Sequence, residues 1–416
     1  MARFSVFAIA AWLCALAAFE AAAAPEPRDV FREYAWRPEG KWQRITWPDV
    51  EEPRARAHLP NAVNTITIGD LDQAIEAEAC VELLLCHGGT VGKKMRVNGH
   101  EWIDIPESPL IPGDRGRGGS PPAEYQTMRY PLVPIPLEQL IEGPNTFEFT
   151  VGPGTNLGKW WPQNILYGVV FRIYYGPEKK AIQGRIVSPA PGAALGDKPE
   201  IVVETDDPAA VARVDVIGKY KDFDWEGDGE FRQWHYRFLY GEIQSHIGSA
   251  FQAPFRVEWN TDWIPSQPEP FELAARVIDG DGLCSITPAV GGLSFKRSFS
   301  VRMGETFDVP PRWSTRAGKT QQCKTLVTGG LSQAIEAKIV MCTWNGDGAE
   351  AIGVNGEKLV DKVGLNHDLS YDEIPVPVEK ILPGENTLYT YSGTEHHGIE
   401  VQWPGMVLLI RDAIPE

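Results

Sequence analysis

Gly69-Asp70-Leu71-Asp72-Gln73-Ala74-Ile75-Glu76-Ala77-Glu78 returns near the C-terminus as Gly329-Gly330-Leu331-Ser332-Gln333-Ala334-Ile335-Glu336-Ala337-Lys338. Four further blocks recur in the same order. Val97-Asn98-Gly99 matches Val354-Asn355-Gly356, and Val133-Pro134-Ile135-Pro136 matches Ile374-Pro375-Val376-Pro377. Leu140-Ile141-Glu142-Gly143-Pro144-Asn145-Thr146-Phe147 matches Ile381-Leu382-Pro383-Gly384-Glu385-Asn386-Thr387-Leu388. Gly168-Val169-Val170-Phe171-Arg172-Ile173 matches Gly405-Met406-Val407-Leu408-Leu409-Ile410. Each block has a physical reading. Gln-Ala-Ile-Glu-Ala leads into an apolar strand. Asn-Gly marks a hairpin, because both residues accept positive φ. Gly-x-Asn-Thr is a turn that launches an alternating strand. The last block is a continuous apolar run, as in a strand buried inside a sandwich. Residues 137–141 and 378–382 have room for one helical turn each.

This order of turns and strands resembles the galactose-binding-like jelly rolls, which recur as carbohydrate-binding modules and as sugar-binding domains of large glycosidases. The matching positions are Val97-Asn98-Gly99 with Gly143 and Asn145-Thr146, then Val354-Asn355-Gly356 with Gly384 and Asn386-Thr387. These are structural turns, so they speak for the fold more than for a ligand.

A different segment separates the copies. It opens with Ile186-Val187-Ser188-Pro189-Ala190-Pro191-Gly192, resembling the entry to Ig-like bacterial modules, and closes with Phe271-Glu272-Leu273-Ala274-Ala275-Arg276-Val277-Ile278-Asp279-Gly280. That ending resembles the penultimate strand and hairpin of an Ig-like or fibronectin-like sandwich. The expectation is an all-β chain of three β-sandwich domains. A jelly-roll-like copy spans 25–181, an Ig-like sandwich with an aromatic, acidic insertion at 219–253 spans 182–304, and a second jelly-roll-like copy spans 305–416.

Composition agrees. Of 416 residues, 43% are hydrophobic, and Gly (41), Pro (34) and Trp (14) are all abundant, which suits strands and turns. The net charge of −17 argues against nucleic acid, which needs a basic footprint. Arg3, the apolar run 4–19 and the Ala21–Ala24 stretch before Pro25 read as a signal peptide over residues 1–24, so the chain is expected to be secreted or periplasmic. No later run is long enough to span a membrane. Removal of the leader would leave five cysteines. Cys323 and Cys342, in consecutive strands, are the expected disulfide. Cys80 and Cys86 lie too far apart along one strand to bridge.

Candidate ligand residues come from two places. The insertion carries Trp225, Trp234 and Tyr236, with Trp263 nearby, and aromatic faces stack on the apolar faces of sugar rings. Trp259, in an alternating strand, is expected in the core. Trp160-Trp161 precedes the last strand of the first copy, where the second copy has Glu395-His396-His397-Gly398-Ile399-Glu400. A shared scaffold with divergent loops is expected where loops carry specificity. Asp224, Glu226 and Asp228 echo half of an EF-hand loop, but its twelfth position is His235 rather than a bidentate Glu. A solvated acidic turn is the preferred reading and structural calcium the alternative; no other cofactor is expected. No nucleophile elbow, Walker loop, Rossmann glycines or zincin motif is present. The first-choice function is carbohydrate binding or adhesion to an extracellular glycan. A polysaccharide-degrading hydrolase or lyase with an inter-domain site is the alternative, and a cell-surface interaction protein is the second.

Overall fold

The computed structural model describes residues 25–107, 124–155 and 160–414; the signal-peptide segment 1–24 lies outside them. The chain is nearly all β, with only short helical turns between strands. No described helix is long and apolar enough to cross a membrane.

The repeat is a repeat of sheets. In the first copy, Val30–Trp36, Gln163–Tyr175, Ala74–Leu85 and Leu132–Pro134 lie side by side. They face Val63–Ile68, Gly143–Thr150, Lys94–Val97 and Ile103–Asp104. In the second, Phe299–Met303, Val407–Ala413, Ala334–Trp344 and Leu369–Pro375 take the same order. Lys319–Val327, Gly384–Ser392, Ala351–Val354 and Glu357–Val360 form the facing layer. Phe299–Met303, from the segment assigned to the middle unit, is thus an edge strand of the second sandwich. The single helical turns appear as Leu137–Gln139 and Val378–Lys380.

The turn residues of the repeat have identical work in both copies. Asn98 and Asn355 sit at φ 49° and 51°. Each side-chain amide donates to the carbonyl ending the helical turn (Gln139, 2.8 Å; Lys380, 2.9 Å) and to the next asparagine (Asn145, 2.8 Å; Asn386, 2.8 Å). Each side-chain oxygen accepts the following backbone N–H, from Thr146 at 2.8 Å and Thr387 at 2.9 Å. These amides lie where unsatisfied polar groups would be costly, so the pattern recurs residue for residue.

The middle unit is a sandwich of Gly184–Ser188, Glu200–Thr205 and Phe255–Glu258 against Val211–Lys221, Phe271–Asp279, Leu283–Ile286 and Val290–Phe295. Trp259 is in its core at 2% exposure, against Tyr220, Phe271 and Phe295. Leu283–Ile286 also pairs with Val30–Trp36, so the first and middle sandwiches share one continuous sheet.

The insertion covers that sheet. Trp234, Tyr236 and Phe238 alternate along the chain and turn one face onto Phe31, Val170 and Tyr174. Beyond them, Leu239 and Tyr240 reach between the two copies, among Leu84, Ile165, Tyr167, Cys342 and Trp344. Phe223 and Trp225 pack on Val301, Val340 and Val407 of the second copy, as does Trp263.

The cysteine expectation is corrected. Cys80, Cys86, Cys284, Cys323 and Cys342 are all buried thiols. Cys323 faces the interior of the second sandwich, whereas Cys342 faces outward into the contact between copies. Successive strand residues point to opposite faces: Met341 took the inward position on that strand, leaving Cys342 outside.

Candidate functional site

A cleft of about 900 Å³ opens between the two copies. Its walls come from equivalent ends of the two scaffolds. His87 follows Ala74–Leu85, and Trp344 ends the counterpart strand Ala334–Trp344. Trp161 precedes Gln163–Tyr175, while His396 and His397 precede Ile399–Val401. The walls approach closely at Gly88, where a Cβ would meet the Glu124 carbonyl at 2.5 Å and the Arg312 side chain at 2.9 Å. Across the seam, Gln126 donates to Glu400 at 3.0 Å and the Trp42 indole to the His367 carbonyl at 3.4 Å.

Trp161 is the centre of one wall. His58 stacks on it with centroids 6.0 Å apart and planes at 21°, and His87 meets it edge-on at 5.6 Å. The guanidiniums of Arg44 and Arg54 lie 5.4 and 5.5 Å from its ring centroid, within cation–π range. Arg44 also donates to Gln163 at 2.7 Å, and Gln163 contacts His87 at 2.9 Å. Opposite, His367 lies 4.6 Å from His397 and 5.6 Å from Trp344, centroid to centroid. Asn345, at φ 56°, ties this wall by accepting the His367 N–H and donating to the Gly398 carbonyl.

The electrostatics have one sign. Arg44, Arg54, Arg312 and Arg316 line the cleft beside five of the eight histidines, and among its described lining residues Glu400 is the single carboxylate. Burial, opposed by a hydrogen bond to the Trp161 carbonyl and reinforced by Arg44, pushes His87 down to about 4. His397 is lowered by burial and by His367 and Arg316. Glu400 is pushed up to about 7 by burial at the cleft floor, despite Arg316 and the hydrogen bonds from Ser314 and Gln126.

No family model matches the chain, and no curated protein matches it. Some solved structures are similar in part. A β-porphyranase of glycoside hydrolase family 86 from the human gut bacterium Bacteroides plebeius has a TM-score of 0.24 at 13% identity, covering 55% of this chain and 38% of that one. The glycoside hydrolase domain of Endo-D from Streptococcus pneumoniae has a TM-score of 0.24 at 11% identity, covering 62% and 36%. A carbohydrate-binding module of the β-sandwich super family has a TM-score of 0.16 at 12% identity, covering 57% and 98%. The chain spans little more than a third of the first two.

The residues singled out from sequence divide sharply. Trp161, His396 and His397, from divergent loops of different copies, meet in the cleft. Trp160 is 70% exposed and is not among the described lining residues. Trp225, Trp234, Tyr236 and Trp263 are packed in the seams between sandwiches, where their rings meet protein: Arg237 lies over Trp225, Lys338 and Arg411 over Trp263. The carboxylates proposed for calcium are engaged by the turn. Asp224 accepts from the backbone of Asp228 and Gly229 and from the Trp403 indole, and Glu226 accepts from Gln233. Among the described residues, no three His, Cys, Asp or Glu side chains converge as a metal set. Trp42, Arg44, His58, His87 and Trp344 went unnoticed in the sequence. Divergence between the copies at the end of the repeated strand, Leu84-Leu85-Cys86-His87 against Trp344-Asn345-Gly346-Asp347, was the available signal for two of them.

Proposed function

We propose that the chain is an exported carbohydrate-binding protein that holds a polysaccharide in the cleft between its two repeated sandwiches. One observation carries this reading. The loops that differ between the copies converge on a cleft walled by Trp42 and Trp161, with the buried Trp344 among its lining residues. Indole faces supply flat apolar surfaces for sugar rings, and the intervening amides, hydroxyl and imidazoles match ring hydroxyls. The volume lies in the range of sites for small ligands, so a few sugar units of a longer polymer would occupy it. The test is glycan-array binding by the intact chain and by Trp161→Ala. Loss of signal in the variant supports the reading; undiminished binding places the site elsewhere.

A second reading, cleavage of the bound polymer, is favoured by Glu400. Its carboxyl, pushed up to about 7, suits proton transfer near neutrality. Two-carboxylate hydrolysis needs a second carboxylate, and Glu400 stands alone among the described lining residues. Release of reducing ends or unsaturated sugars, abolished in Glu400→Gln, would establish this reading over binding alone.

A further inference from the structure

We infer that the polysaccharide taken by this cleft is anionic, bearing carboxylate or sulfate groups. The inference rests on the glycan reading above and names the ligand's chemistry. Acidic residues outnumber basic ones across the chain, 56 Asp and Glu to 39 Lys and Arg, yet four arginines converge in this one concavity. Only Arg54 has a carboxylate partner there, Glu52 at 2.6 Å. Among the described residues, Arg44, Arg312 and Arg316 form no ion pair with a carboxylate. Arg44 spends one N–H on the neutral Gln163 amide and lies against Trp42 and Trp161. Arg316 influences Glu400 without closing an ion pair.

Arg44 is half-buried and Arg54, Arg312 and Arg316 are exposed, so solvent screens much of their mutual repulsion while leaving them open to a ligand. Guanidiniums gathered in one cleft repel each other, and low-dielectric walls concentrate their field. An anion relieves that repulsion, and the guanidinium fork matches carboxylate and sulfate oxygens in two parallel hydrogen bonds. A cleft built for neutral sugars would instead be expected to carry several carboxylates to accept from hydroxyls, and among its described lining residues this one has Glu400 alone. Nucleic acid shares the charge and the stacking, but a phosphate backbone calls for an extended basic footprint, and the chain's net charge is −17.

The experiment is calorimetric titration of the full chain with matched pairs of polymers. Polygalacturonate is compared with its methyl ester, and carrageenan with desulfated carrageenan, at low and physiological salt. At least one anionic member should bind more tightly than its neutral partner and weaken with salt. Which pair discriminates separates a carboxylate ligand from a sulfate one. Arg44→Gln and Arg316→Gln should each lower that affinity about tenfold, the worth of one charge-assisted hydrogen bond. Binding of the neutral members as tightly as the anionic ones, or affinity unmoved in both variants, overturns the inference and leaves the glycan reading standing. Tighter binding of single-stranded DNA than of any polysaccharide overturns the inference. Binding of none of the polymers removes the inference and the glycan reading together.

Discussion

Trp161 and Trp234 are both tryptophans in strand-flanking sequence, and their surroundings give them opposite roles. Trp161 is half-buried among cations and imidazoles in an open cleft. Its replacement by Ala should cut polysaccharide affinity at least about tenfold, from a stacking loss on the order of 1.5 kcal/mol, with little change in urea midpoint. Trp234 is 7% exposed and its indole donates to Glu26 at 3.1 Å. Trp234→Ala should cost about 3–5 kcal/mol of stability, read as a fall in urea midpoint, while residual folded protein keeps its affinity. Glu400 adds a pH signature. Ionisation through about 7 places a negative charge among Arg316, Arg44, Cys86 and the cleft imidazoles. An anionic polysaccharide should therefore bind more weakly as pH rises through that value. Glu400→Gln should flatten that part of the profile; an unchanged slope would assign it to another group.

At the scale of elements, the paired asparagines make the duplication measurable. Asn98→Ala and Asn355→Ala each strip hydrogen bonds from a helical-turn carbonyl, a neighbouring asparagine and a strand N–H. Each should cost about 1–3 kcal/mol, equal within error by urea denaturation. A marked inequality would mean that the two turns are not equivalent. The insertion is the element whose character changes most between sequence and structure. Its acidic and aromatic residues look like an exposed sugar platform, but Trp234, Tyr236 and Phe238 alternate with His235 and Arg237 at the period of a strand, and both faces are buried. That alternation was legible. What they cover was not, because the covered surface is built largely from residues distant in sequence, among them Phe31, Val170 and Tyr174. The same holds for Gly168, where a Cβ would meet the Glu82 carboxylate at 2.6 Å. Glu82 is thereby free to accept from the backbone of Tyr240 and Gly241 and hold the tip of the insertion.

At the scale of the molecule, a buried ionic chain joins the first and middle sandwiches. Glu33 bridges Arg172 at 2.8 Å and Arg276; Arg172 continues to Glu78 at 2.7 Å and Arg276 to Asp215 at 3.3 Å. Burial would raise Glu33, but Arg276 and Arg172 hold its carboxyl below the ordinary value. Removing the shared anion leaves two buried guanidiniums short of a partner, so Glu33→Gln should cost about 3–5 kcal/mol, checked by calorimetric unfolding. Because its folded-state value is lowered, this carboxylate stabilises the fold above its unfolded value, and the contribution is lost as pH falls through the folded one. The thiols give an independent check at this scale. With Cys323 and Cys342 unbridged, dithiothreitol should leave the unfolding temperature unchanged; a drop of several degrees would show a covalent bridge.

By itself the sequence determined the all-β class, the duplication and the turn chemistry, down to the asparagines that close each hairpin. Those features depend on local backbone preference and on strand periodicity, and both are written within a few neighbouring residues. It also pointed to the divergent loops at Trp161 and at His396-His397. Only the tertiary structure decided that these loops face one another, that arginines scattered along an acidic chain gather around them, and that the insertion's aromatics are packing. A cleft and a seam are both made where distant surfaces meet. Whether a tryptophan stands in one or the other depends on how closely the opposing wall approaches, which no stretch of local sequence records.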